Sequence, residues 1–145
     1  MKEYKLNEAE LMLPDDWRDN TVNAFVVPSG SQGAGASFVV TRDANASTDE
    51  VYAYADQQLV EAAKKLSGYH LLNRHPIHVD GQPTVQSNFT WRTPENMEVQ
   101  QRQLIVRQDE LFLIFTLTAR VGDFHLYENA WRDVIGSIRL RTVST

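Results

Sequence analysis

From Leu111 to Leu117 the chain reads Leu-Phe-Leu-Ile-Phe-Thr-Leu. A run this apolar, rich in aromatic and branched residues, cannot leave both sides of an extended strand in water. It predicts a central strand, covered on both faces by the core or by the core and a partner. The segment before it, Met97 to Val106, predicts a second strand of another kind. Its odd positions are Met97, Val99, Gln101, Gln103 and Ile105, and its even positions are Glu98, Gln100, Arg102, Leu104 and Val106. Neither set is purely apolar. The polar stretch Arg107-Gln108-Asp109-Glu110 predicts a short hairpin loop between the two strands. A glutamine-bearing strand beside a greasy one describes a sheet surface that is apolar yet carries amide hydrogen-bonding groups. That combination points to binding rather than catalysis.

The rest of the chain supplies the other layers. Short strands are expected at Tyr4–Leu6 and Glu10–Leu13, then a turn at Pro14-Asp15-Asp16-Trp17 with Trp17 folding back as a lid on the core. Alternation predicts strands over Thr21–Val27 and Ala36–Thr41, joined by the glycine- and serine-rich loop Pro28–Gly35. A helix is expected to be capped by Ser47 or Thr48, with Asp49 and Glu50 in its first turn, and to run to about Leu66. Tyr52, Ala55, Leu59, Ala62 and Leu66 form its apolar stripe, with Gln58 at the stripe's edge. Tyr69–Val79 is a weak strand, Asp80-Gly81 a turn, and Thr84–Arg92 a strand. A second helix is expected over Asp123–Ser137, burying Phe124, Tyr127, Trp131, Val134 and Ile138, and a last short strand over Ile138–Arg141. Successive strands with short turns demand antiparallel pairing. The expected fold is α+β: one domain over residues 1–145, with a curved antiparallel sheet flanked by two long helices.

Several function classes are argued against. The absence of cysteine removes thiol chemistry and disulfides. A net charge of −5 and the lack of a basic run disfavour nucleic acid. The charged start, MKEYKLNEAELML, has no apolar signal core, and no run suits a membrane span. No cofactor is expected. The glycine loop is followed by a strand and has no lysine nearby, so it is read as a surface loop rather than a phosphate cradle. His75 and His78, three apart in a strand, point to opposite faces and do not share an ion. No serine, histidine and carboxylate set has catalytic spacing, so no catalytic or metal residue is assigned. What remains is the glutamines Gln57, Gln58, Gln100, Gln101 and Gln103, either a solvated surface or the lining of a groove.

The ordered set Tyr4-x-Leu6-x-Glu8-Ala9, Leu13-Pro14-x-x-Trp17-x-Asp19, Thr21-Val22-Asn23, Ser37-Phe38-Val39-Val40-Thr41-Arg42 and Leu59-x-x-Ala62-x-Lys64-x-Leu66 resembles the Eag chaperones, as do Arg102-Gln103 and the Trp131 helix. These belong to the wider DcrB-related group with a PsbP-like fold. The resemblance implies a cytoplasmic, homodimeric adaptor of type VI secretion. Such adaptors shield hydrophobic N-terminal helices of an effector and help load it onto the VgrG spike. It also implies a groove walled by Gln58, Ala62 and Leu66, with Val22, Ala24 and Val39 on apolar strands. Val99, Gln103 and Ile105 share one strand face, with Ile114 on the partner strand, and complete the expected groove. A small-molecule or lipid binder of the same fold, or a general interaction module, is the alternative.

Overall fold

The computed structural model describes residues 1–29 and 34–141. Strands β1 (Lys2–Lys5) and β2 (Glu10–Leu13) form a separate two-stranded hairpin. Strands β3 (Asn23–Val27), β4 (Ala36–Asp43), β5 (His70–Val79), β6 (Gln82–Arg92), β7 (Glu98–Gln108) and β8 (Leu111–Arg120) form one antiparallel sheet in the order β3-β4-β8-β7-β6-β5. Helix α1 (Val51–Lys65) joins β4 to the far edge strand β5. A 3-10 turn (Phe124–Tyr127) and helix α2 (Glu128–Gly136) follow β8.

The two helices lie on opposite sides of the sheet, and strand parity decides which residues each covers. Leu104, Val106, Phe115, Leu117 and Ala119 face Phe124, Tyr127 and Trp131 in one buried cluster. Val85, Ile105 and Phe112 face Val51, Tyr54 and Ala55 in a second, smaller one. The Leu111–Leu117 run therefore occupies an interior strand and feeds both cores. Leu104, Val106 and Phe112 are fully buried. Tyr54 stacks flat on Phe112 with ring centroids 3.9 Å apart, and its hydroxyl donates to Asp43 at 2.7 Å. Burial and that acceptor together push the Tyr54 hydroxyl well above its ordinary range, which keeps it a donor.

The α+β class and antiparallel sheet match the sequence reading, but several details differ. The second helix is not long. A 3-10 turn takes the first four residues after Asp123, and the α-helix proper spans only nine. The sheet is not strongly curved. Glu50, not Ser47 or Thr48, caps α1: its carboxylate accepts from the Tyr52 and Ala53 amides. Each of the two carboxylate oxygens accepts from one of the free N–H groups at the helix start. The stripe is shifted accordingly, with Val51, Tyr54 and Ala55 buried and Tyr52 exposed. Trp17 is 59% exposed and forms no lid. Strands β7 and β8 pair as far as Gln108 and Leu111, so their loop is only Asp109-Glu110. Ile138–Arg141 is not a strand. It lies along the sheet's end through Leu140 N–H to Asp80 and the Gln108 amide to the Arg141 carbonyl. Of the expected glycine loop, residues 30–33 lie outside the described residues. Asp80 and Gly81, both at positive φ, make the tight β5–β6 turn.

Leu104 has no exposed surface and lies in the α2-side cluster. Leu104→Ala should cost roughly 2–5 kcal/mol by loss of transfer energy and cavity formation. Urea unfolding monitored by tryptophan fluorescence measures it.

Candidate functional site: the α1 face of the sheet

The two sides of the sheet are closed to different degrees. On the α2 side, the aromatic rings of Phe124, Tyr127 and Trp131 are buried, with Ile135, Ile138 and Leu140 packed beside them. Arg102 fastens this layer. Its guanidinium forms a paired contact with Glu128 at 2.7 and 2.9 Å, and its Nε donates to Asn88 at 2.6 Å. It also lies over the rings of Phe124 and Trp131, 5.0 and 5.6 Å from their centroids. Trp131 donates its indole N–H to Gln86 at 3.2 Å.

On the other side, the fully buried residues of α1 lie near its start, and Phe89 of β6 is buried farther along the same sheet face. Val51, Tyr54 and Ala55 are buried, whereas Gln58, Leu59, Ala62 and Leu66 are half-buried and Val60 is exposed. Beyond the helix the sheet surface continues across β7, β8, β4 and β3. Register places Gln103 beside Thr116, Thr116 beside Val39, and Val39 beside Ala24 in one cross-strand row. Gln101, Thr118, Ser37 and Val26 form the next row. Gln101 donates to Thr118 at 2.9 Å. The floor is thus small, apolar or neutral polar, and Val26 is 91% exposed. A hollow of about 360 Å³ at its end touches Val26, Ser37, Met97, Val99 and Thr118.

Parity brings Ala24, Val39, Val99, Gln103, Ile105 and Ile114 onto this one face, which is the face carrying α1. Gln58 and Ala62 lie on α1 itself and Leu66 is the residue that caps its C-terminal end, all half-buried. The residues differ in access. Ala24 is exposed, Val39, Gln103 and Ile114 are half-buried, and Val99 and Ile105 are buried. Ile105 sits under the first turn of α1. Val22 precedes β3 and is exposed. Sequence reading did not name Ser37, Thr116 or Thr118 among the floor residues, and it left Gln101 between a solvated surface and a groove lining. Their parity with Val39 and Gln103 was the available signal. The mixed pattern of β7 is also resolved. Gln101 and Gln103 face the open floor, while Arg102 faces Glu128.

Two hollows lie on the α2 side instead, and one of about 840 Å³ at the sheet's end is lined by Arg42, Leu113, Phe115, Ile138 and Leu140 among others. A cavity of about 300 Å³, lined by Phe25, Val27, Phe38, Leu117, Ala130, Trp131 and Val134, lies on the α2 side at the β3 edge. Its lining is more uniformly apolar than the α1 floor. Among the described residues no cluster of histidines and carboxylates could hold a metal.

The DcrB family pattern matches residues 8–137. The chain is 33% identical over 135 residues to "Effector EagT6" of Pseudomonas aeruginosa, covering 93% of each. It is similar to a crystal structure of a P. aeruginosa protein of unknown function, PA94, described as a putative regulator. The TM-score is 0.86, at 32% identity and 99% coverage of both chains. The solution structure of the cyanobacterial PsbP of Synechocystis matches with a TM-score of 0.55 at 14% identity, covering 97% of this chain and 92% of that one. At that identity the likeness shows the PsbP-like fold alone.

The Arg102–Glu128 contact makes stability depend on pH. Hydrogen bonding from Arg102 holds the Glu128 carboxyl below its ordinary value. The contact therefore stabilises the fold at pH above roughly 4.3, and the contribution disappears as pH falls through the folded value. Glu128→Gln should lower the urea midpoint at pH 7. It should also shrink the drop in midpoint between pH 7 and pH 3, with the other carboxylates supplying the remaining drop.

Proposed function

The chain belongs to the DcrB family, and on that premise we propose that it is a cytoplasmic adaptor of type VI secretion. In this reading it holds the hydrophobic N-terminal helices of an effector along the α1 face and helps load that effector onto the VgrG spike. It is a binding protein, not an enzyme, and needs no cofactor. The relative named as Effector EagT6 supports an association with effectors. The observation that carries the proposal is the half-covered α1 face, with a floor of Ala24, Val39, Ser37, Thr116 and Thr118 and a wall of Gln58, Ala62 and Leu66.

The floor suits an apolar helix for three reasons. Small residues let a helix approach closely, as they do between helices in membranes. The amides of Gln101, Gln103 and Gln58 donate to and accept from polar groups on such a helix without placing a charge against it. Each Leu- or Ile-sized client side chain fully removed from water contributes roughly 1.5–3 kcal/mol. Association itself costs on the order of 4–15 kcal/mol. A few anchors in one short floor barely cover that cost, so a doubled floor in a homodimer is part of the proposal.

The test is co-expression with the effector encoded by the neighbouring reading frame. Val39→Gln, or Leu66→Glu at the C-terminal end of α1, should abolish co-purification while the far-ultraviolet circular dichroism stays that of the wild type. Retention of the effector by both folded variants would place its binding site elsewhere.

A further inference from the structure

The hollow at the sheet's end, on the α2 side, has no part in holding a client on the α1 face. Its volume is about 840 Å³, and its apolar floor is Leu111, Leu113 and Phe115 of β8. Ile138 and Leu140, from the segment after α2, supply a second apolar wall. Three arginines line it as well. Register places Arg42 beside Leu113, and Arg139 and Arg141 come from the segment after α2. The acids in the lining are Asp109 and Glu110, both exposed in the β7–β8 turn. The chain as a whole has 19 acidic and 14 basic residues. Three cations beside two anions therefore reverse its balance locally, and the hollow favours an anion.

Dimensions and hydrogen bonding decide what carries that charge. Leu111, Leu113 and Phe115 follow one another along a single strand, so the floor is about 14 Å long and one strand, about 4.8 Å, wide. A helix with its side chains is about 10 Å wide and does not seat in so narrow a lane. An extended peptide needs partners for its amides. Here β4 and β8 are interior strands, paired with each other and with β3 and β7, and offer no free edge. The side-chain amide of Gln108 already donates to the Arg141 carbonyl. An alkyl chain needs neither the width nor the hydrogen bonds. The head group is met by guanidinium groups, which pair with a carboxylate through two parallel N–H donors. One terminal nitrogen of Arg42 donates to the Thr21 carbonyl, and one of Arg139 to those of Gly136 and Ile138. A guanidinium has five donors, so these anchored groups retain others for a ligand.

We propose that this hollow binds a single-tailed anionic amphiphile, a free long-chain carboxylate. Its alkyl tail lies on Leu111, Leu113 and Phe115, and its head lies among Arg42, Arg139 and Arg141. The site is on the opposite side of the sheet from the α1 face, so it neither replaces the client site nor depends on the adaptor reading.

The test is isothermal titration of the purified chain with laurate below its micelle concentration. The wild type should bind one laurate per chain, saturably. The double variant Arg139→Glu, Arg141→Glu changes two exposed positions. It should bind laurate roughly tenfold more weakly, with unchanged circular dichroism. Dodecanol, the same tail without the charge, should also bind more weakly than laurate. Val39→Gln, on the opposite face, should bind laurate as the wild type does. Absence of saturable binding by the wild type, or undiminished binding by the double arginine variant, overturns the proposal. Loss of binding in Val39→Gln alone assigns the laurate to the α1 floor and overturns it too. Phosphatidylglycerol vesicles, pelleted with the chain, should leave it in the supernatant. Pelleting with vesicles and no uptake of monomeric laurate assigns the hollow to a membrane surface instead and equally overturns the proposal.

Discussion

A six-stranded sheet is wider than one helix can cover. Strands about 4.8 Å apart make the sheet roughly 25 Å across, while a helix with its side chains is about 10 Å wide. Each face here receives a single helix, so each would be left partly bare unless something else covers it. On the α2 side much of that cover exists, with hollows left at the β3 edge and beside Ile138–Arg141. Phe124, Tyr127 and Trp131 are large rings, Arg102 ties them to the sheet, and Ile138 and Leu140 extend the layer along one end. On the α1 side the buried helix residues are Val51, Tyr54 and Ala55 near its start, and among the described residues Ala46 packs beside them while Phe89 is buried farther along the same sheet face. The difference between the two faces is the basis of the functional reading.

The chemistry of the bare region is consistent with a site and not with an unfinished core. A core floor would carry Leu, Ile and Phe, as the α2 side does at Leu104, Phe115 and Leu117. The α1 floor instead carries Ala24, Ser37, Val39, Thr116 and Thr118, with the amides of Gln101 and Gln103 between them. Such a surface remains wettable when empty yet loses little when an apolar helix covers it. The β3 edge has the same neutral character, so the floor and the edge form one uncharged region of an acidic chain.

Much of this was legible in the sequence because period-two alternation carries its own face assignment. Val99, Gln103 and Ile105 could be set on one side of a strand from spacing alone, and register then added Ile114, Val39 and Ala24 to the same side. Helix ends were less legible. The Glu50 cap competes with Ser47 and Thr48 within one turn, and only the bonds to the Tyr52 and Ala53 amides separate them. The second helix was overestimated because Phe124, Tyr127 and Trp131 fit a 3.6-residue period and also a 3-10 turn running into a short helix. Access was least legible of all. Ile105 and Val39 have the same parity and similar hydropathy. What distinguishes them is where α1 crosses the sheet, which depends on the loops at its two ends.

The central claim is that the α1 face, and not the α2 face, receives the client. Hydrogen–deuterium exchange of the chain alone and in complex with its co-expressed effector tests this most directly. The account predicts slower exchange in the second half of α1, residues 58–66, and along β3 and β4, with α2 unchanged. Protection confined to α2 and the segment that follows it, with the second half of α1 exchanging as in the free chain, would contradict it.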